Sequence, residues 1–91
     1  MSVAANEIEA GVRVLRDLGA RRIFLFGSAL SDPESARDID FGCEGLPAER
    51  YFRAVGELIA ALGRDVDLID LSSDTPRTWF IRRHAKVLYE S

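Results

Sequence analysis

The chain has 91 residues, 47% of them hydrophobic and 30% charged, which is material for one small core and too apolar for a disordered tail. Fifteen acidic residues against twelve basic ones leave a net charge of -3, which argues against extended nucleic-acid binding driven by charge. The one cysteine, Cys43, excludes an internal disulfide and a cysteine-rich zinc site.

A single domain over residues 1–91 in a reducing cytoplasm is therefore expected. The longest uncharged stretch, Ile23 to Ser31, is nine residues, far below the roughly 20 of a membrane-spanning helix. Met1 to Glu9 holds Glu7 and Glu9 but no Lys or Arg, so neither a secretory nor a mitochondrial address is legible.

From Ala4 to Leu18 the apolar residues Ile8, Val12, Leu15 and Leu18 recur at helical intervals, and Gly19 is placed to stop the helix. Arg21 to Phe26 reads as a buried strand, apolar on both faces through Ile23, Phe24, Leu25 and Phe26. Asp32, Pro33 and Glu34 make a polar loop. In Asp38 to Cys43, Ile39, Phe41 and Cys43 alternate with Asp38, Asp40 and Gly42, a strand with one apolar and one acidic face.

Pro47 precedes a second helix, Ala48 to Leu62, with Phe52, Val55, Ile59 and Leu62 as its apolar stripe and Gly63 at its end. Asp65 to Leu71 is a third strand, with Asp65, Asp67, Ile69 and Leu71 on one face and Val66, Leu68 and Asp70 on the other. Asp74 or Thr75 before Pro76 starts a last helix running to about His84. Lys86 to Tyr89 fits either an edge strand or an extension of that helix. Strands alternating with helices define an α/β (α+β) fold, a small mixed sheet flanked by helices.

Asp38 and Asp40, two positions apart on a strand, project from one face about 7 Å apart. Such carboxylates can share divalent cations that stabilise the attacking and leaving oxygens of a phosphoryl displacement, and hard oxygen donors suit magnesium. Gly27-Ser28 follows the buried first strand, where glycine lets a phosphate approach the backbone and serine offers an amide and a hydroxyl. Each motif alone is commonplace: Asp-x-Asp is usually a solvated strand end, and Gly-Ser an ordinary turn. Together with an aspartate on a third strand they form a constellation.

That constellation resembles the minimal nucleotidyltransferase family, small members of the polymerase-beta-like nucleotidyltransferase superfamily. The resemblance is carried by Phe24-Leu25-Phe26-Gly27-Ser28, Asp38-Ile39-Asp40-Phe41, Asp65-Val66-Asp67-Leu68-Ile69-Asp70 and Val87-Leu88-Tyr89-Glu90, and it covers nearly the whole chain. It implies a nucleotidyltransferase fold, with Asp38, Asp40 and Asp67 as metal ligands and catalytic carboxylates. It further implies that Gly27 and Ser28 cradle the phosphates of ATP or another nucleoside triphosphate, with Mg2+ as cofactor. Stand-alone members of the family are encoded beside a helical HEPN protein, and the resemblance implies an antitoxin that attaches AMP to such a partner.

Family members continue after Gly-Ser with a basic residue and an Ala-Arg-Gly run, where this chain has Ala29-Leu30-Ser31. That departure keeps a second reading beside the enzyme: a degenerate domain that neutralises a helical partner by contact alone. Arg37 stands either as a substitute for the missing charge or as an ion-pair partner of Asp38. A glycosyltransferase using Asp-x-Asp fails on size, and an aspartyl-phosphate phosphatase lacks the threonine after its motif, where Phe41-Gly42 stands.

Among the remaining residues, Cys43 reads as a small hydrophobe and His84 as a donor to helix-end carbonyls. One of Trp79 and Phe80 is expected at the surface, Trp79 as an interface candidate, and Arg77, Arg82 and Arg83 make a solvated basic face. A site this small is expected to be completed by another protein or by a second copy in a homo-oligomer.

Overall fold

The structure is a computed structural model that describes residues 3–91. The chain runs α1 (Ala5–Asp17), β1 (Arg22–Phe26), α2 (Ser28–Ser31), β2 (Ile39–Glu44), a 3-10 turn (Ala48–Arg50), α3 (Tyr51–Leu62), β3 (Val66–Asp70), α4 (Pro76–His84) and β4 (Lys86–Glu90). The four strands form one sheet in the order β3-β2-β1-β4. β1 is antiparallel to β2 and β4, whereas β2 and β3 are parallel, with α3 as the crossover a parallel pair requires. This is the mixed, helix-flanked sheet expected.

Alternation along the strands sorts their side chains onto two faces. On the first, Ile23, Leu25, Ile39, Phe41, Cys43 and Val66 pack with Leu15, Leu18, Ala54 and Leu58 into the main core. Gly11 of α1 lies against the ring of Phe41, and a Cβ there would enter the ring. The helix closes on β2 only because position 11 has no side chain. On the second face Phe24 and Leu71 are buried, Leu71 packing over Gly42. Arg82 of α4 donates to the Leu71 carbonyl at 2.6 Å and pairs with Asp74 and Glu44, which ties α4 to this face.

Packing revises several sequence expectations. α3 turns Ala54 and Leu58 to the core, flanked by Tyr51 and Leu62, and leaves Phe52 96% exposed and Ile59 exposed. Apolar residues lie all round this helix except near Arg53 and Glu57, so its period supports two faces. The small Ala54 and the contact of the Tyr51 hydroxyl with the Cys43 Sγ, at 3.2 Å, decide which one packs. The helix expected from Ala48 opens with a 3-10 turn whose Arg50 amide donates to the Pro47 carbonyl. β2 begins at Ile39, so Asp38 occupies the bend before the strand instead of sharing its pleat.

At the C-terminal end, Thr75 caps α4: its Oγ1 accepts from the Thr78 amide at 3.1 Å, and Thr78 Oγ1 accepts from the Thr75 amide at 2.9 Å. Trp79 and Phe80 are both exposed, because the short helix buries little beyond Thr78. Its arginines are not simply solvated, since Arg82 makes the bonds above and Arg83 lies 5.2 Å from the Trp79 ring centroid. His84 Nδ1 donates to the Phe80 carbonyl at 2.9 Å, as its position at a helix end leads one to expect. Residues 86–90 form a strand at the sheet edge, paired with β1 across a bulge between Ile23 and Phe24.

Two glycines make opposite predictions. Gly11→Val should lower unfolding stability by about 1–3 kcal/mol through overpacking against Phe41. Gly56→Ala, where an added Cβ meets nothing within 4 Å, should raise it by about 1 kcal/mol through helix propensity. Urea denaturation of both variants checks the pair, and equal effects would be inconsistent with this packing.

Candidate active site

Three segments converge at one end of the sheet: the end of β1, the approach to β2 and the first half of β3. Gly27 leaves β1 with φ 73° and ψ -155°, a region that suits glycine alone. A Cβ at this position would overlap the Asp40 carboxylate, so the backbone and the carboxylate touch only because residue 27 is glycine. The register puts Phe26 opposite Asp40 and Asp40 beside Asp67, so the two carboxylates rise side by side on the second face of the sheet.

The electrostatics follow from that placement. Burial pushes the Asp40 carboxyl above the ordinary carboxylate range, and a hydrogen bond with Asp67, the charge of Asp67 and the charge of Asp38 push it further the same way. Asp67 and Asp38 are exposed, whereas Asp40 is half-buried. Among the described residues, no group of three or more His, Cys, Asp or Glu side chains is arranged to hold a metal ion by itself. The donors are nevertheless all hard oxygens, and like charges are crowded together. That set fits a hard divalent cation such as magnesium, with nucleotide oxygens and water filling the remaining positions.

α2 starts at Ser28, directly after Gly27. The Leu30 and Ser31 amides both donate to the Gly27 carbonyl at 3.1 Å, so helix geometry leaves the Ser28 and Ala29 amides as the unpaired donors of the first turn. No basic side chain occurs in α2. Arg37 is exposed and, among the described residues, makes no ion pair with Asp38.

The structure brings Asp40, Asp67 and Gly27 together, sets Asp38 and Ser28 beside them, and leaves Asp65 and Asp70 outside. Asp70 lies on the opposite face, where its charge acts on Cys43 and Tyr51. Burial raises the Cys43 thiol to about 11 and also raises the Tyr51 hydroxyl, so both stay protonated. Sequence reasoning missed Arg64, which is buried behind the site and ion-paired to Glu7 at 2.8 Å. Residues 57 positions apart give no local signal of such a pair.

No family model and no curated protein sequence matches the chain. Solved structures do. A chain of a toxin-antitoxin complex with AMP-PNP is 28% identical, with a TM-score of 0.74, over 94% of this chain and 73% of its own. A chain of a mutant MntA-HepT toxin-antitoxin complex is 27% identical, with a TM-score of 0.75, over 99% and 75%. A chain from a complex of the MNT antitoxin with a tri-AMPylated HEPN toxin of Shewanella oneidensis is 28% identical, with a TM-score of 0.69, over 94% and 71%. The mixed four-stranded sheet with its helices and the match to these structures define a nucleotidyltransferase-like fold. Within it, the chain is MNT-like, spanning roughly three quarters of the length of these relatives.

The crowding of Asp40 gives a prediction with a definite sign. A carboxyl whose pKa is raised in the folded state binds its proton more tightly there, so its stability contribution falls as pH rises from the unfolded value, about 4, through the folded one. With a chelator at pH 7.5, Asp40→Asn should therefore melt several degrees above the unsubstituted chain. The gap should close as pH falls toward the unfolded value. An Asp40→Asn melting point at or below that of the unsubstituted chain at pH 7.5 would contradict the crowding.

Proposed function

We propose that the chain is a magnesium-dependent nucleotidyltransferase that moves AMP from ATP to a hydroxyl of a HEPN-like helical partner, serving as the antitoxin of the pair. The observation that carries this reading is the Gly27 backbone laid against Asp40, with Asp67 alongside: two adjacent carboxylates packed directly against the Gly-Ser turn. Support comes from the relatives, one solved with AMP-PNP and another with an AMPylated HEPN toxin. Magnesium held by Asp38, Asp40 and Asp67 would neutralise charge on the phosphates.

The chain's own residues divide the remaining work. Gly27 admits the phosphates, and the Ser28 and Ala29 amides and the Ser28 hydroxyl donate to their oxygens. Asp67, exposed at the sheet edge, accepts the proton of the acceptor hydroxyl while that oxygen bonds to the α-phosphorus and pyrophosphate leaves. The partner has two separate apolar patches to dock on, Phe52 and Ile59 on α3 and Trp79 and Phe80 on α4, over opposite faces of the sheet. The absence of any basic side chain in α2 favours a second reading, a binding module that keeps the fold and inhibits by contact.

Transfer of label from α-labelled ATP to the co-purified partner, with magnesium, separates the two readings. Asp67→Asn should reduce transfer by at least 100-fold while leaving the fold and most ATP affinity intact, whereas Asp65→Asn and Asp70→Asn should retain transfer. Undiminished transfer by Asp67→Asn would refute the role given to Asp67. A stable complex with no transfer by the unsubstituted chain would favour the binding module.

A further inference from the structure

Arg64 stands between Gly63, which ends α3, and Asp65, which leads into β3. Its side chain is only 8% exposed. Nη1 points to two successive carbonyl oxygens, Ala36 at 3.5 Å and Arg37 at 3.4 Å. On its other side the guanidinium meets Glu7 twice: Nη2 donates to Oε1 at 3.0 Å, and Nε lies 2.8 Å from Oε2. Glu7 Oε1 also accepts from the Ala4 amide at 3.2 Å. One planar cation thus joins the start of α1, the loop before β2 and the entry to β3.

What that loop carries gives the contact its meaning. Asp38 follows Arg37 directly and lies outside the β2 ladder, so strand pairing does not fix it. The nearest ladder bond is the Ile39 amide to the Asp65 carbonyl at 3.2 Å. On the far side of Arg64, Asp67 is three residues along the chain. The guanidinium is thus bonded to the segment that holds one carboxylate and belongs to the segment that holds another. A buried ion pair is weak support for stability, because apolar side chains of similar volume often replace it without loss. An apolar side chain cannot hold two carbonyl oxygens, and a fixed fork of donors can.

We infer that Arg64 is a positioning residue of the carboxylate cluster, holding the Asp38 segment against the strand of Asp67 with Glu7 as its counter-ion. This rests on the proposed reading of Asp38, Asp40 and Asp67 as the nucleotide and metal site. Supporting groups that lock first-contact ligands in place are what separates a working site from a loose one.

The test removes both charges together, Arg64→Met with Glu7→Leu, so that no unpaired ion is left buried. Arg64→Lys is the second variant, in case the double variant fails to fold. Hydrogen exchange of the Ile39 amide, which donates to the Asp65 carbonyl, should accelerate at least tenfold in the double variant while the β1 and α3 amides stay protected, with Arg64→Lys intermediate. Manganese with a non-hydrolysable ATP analogue, followed by electron paramagnetic resonance, should bind at least fivefold more weakly. Partner labelling should lose kcat, with KM for ATP rising in step with the weaker nucleotide binding. Unchanged exchange at Ile39 in a folded variant would overturn the positioning role. If the unsubstituted chain binds no manganese nucleotide, the reading of the site fails, and the exchange measurement alone decides on Arg64.

Discussion

The close approach of the Gly27 backbone to the Asp40 carboxylate is the contact on which the rest of this site depends. It requires three things at once: a glycine that adopts a positive φ, a strand register that puts Phe26 opposite Asp40, and a second carboxylate, Asp67, in the next strand over. Each costs the isolated fold something. A left-handed turn limits residue 27 to glycine, and the paired carboxylates repel. The fold meets these costs on the opposite face of the sheet, where Ile39 and Phe41 are fully buried between α1 and α3. β2 is therefore a two-sided strand in function as well as in pattern, with its core residues anchoring the acidic ones.

How much of this was legible in the sequence depended on how local the cause was. The run Ile23 to Phe26 announced a strand buried on both faces, and the alternation through Ile39, Phe41 and Cys43 separated a core face from an acidic one. The choice of Asp67 over Asp65 and Asp70 came from the family resemblance; the register sets that residue beside Asp40, and its role is a proposal. The bounds of α1 and the cap of α4 also followed from neighbouring residues. Non-local causes were not readable. The core face of α3 was misjudged, because Phe52, Val55 and Ile59 obey helical spacing as well as Ala54 and Leu58 do, and only Cys43 and α1 choose between them. Residues 86–90 stayed undecided until β1 supplied the missing hydrogen bonds. Arg64 gave no hint at all, since its partners come from residues 7, 36 and 37.

The two faces of the sheet also separate two kinds of acidic chemistry. Asp70, beside Cys43 and Tyr51, has its Oδ1 occupied by the Ser72 amide at 2.9 Å and sits among groups that stay protonated. Asp40, one strand over and on the other side, is surrounded by its own kind. Identical side chains on opposite faces and toward opposite ends of the β2–β3 pair thus have different surroundings, one accepting an amide at a strand end and the other crowded by like charges.

β3 is an outer strand, and its far side has no neighbouring strand among the described residues. Its sequence from Asp65 to Asp70 places three aspartates along six residues. Outer strands are where identical proteins zip together into aggregates, and charged side chains are a usual guard against it. Two copies meeting along β3 would bring like-charged carboxylates close together and repel. At the opposite border, the bulge between Ile23 and Phe24 and the charged ends Lys86 and Glu90 spoil a flat template in another way. The acidity read as a metal and nucleotide site at one end of this sheet thus also disfavours strand pairing between copies along its edge.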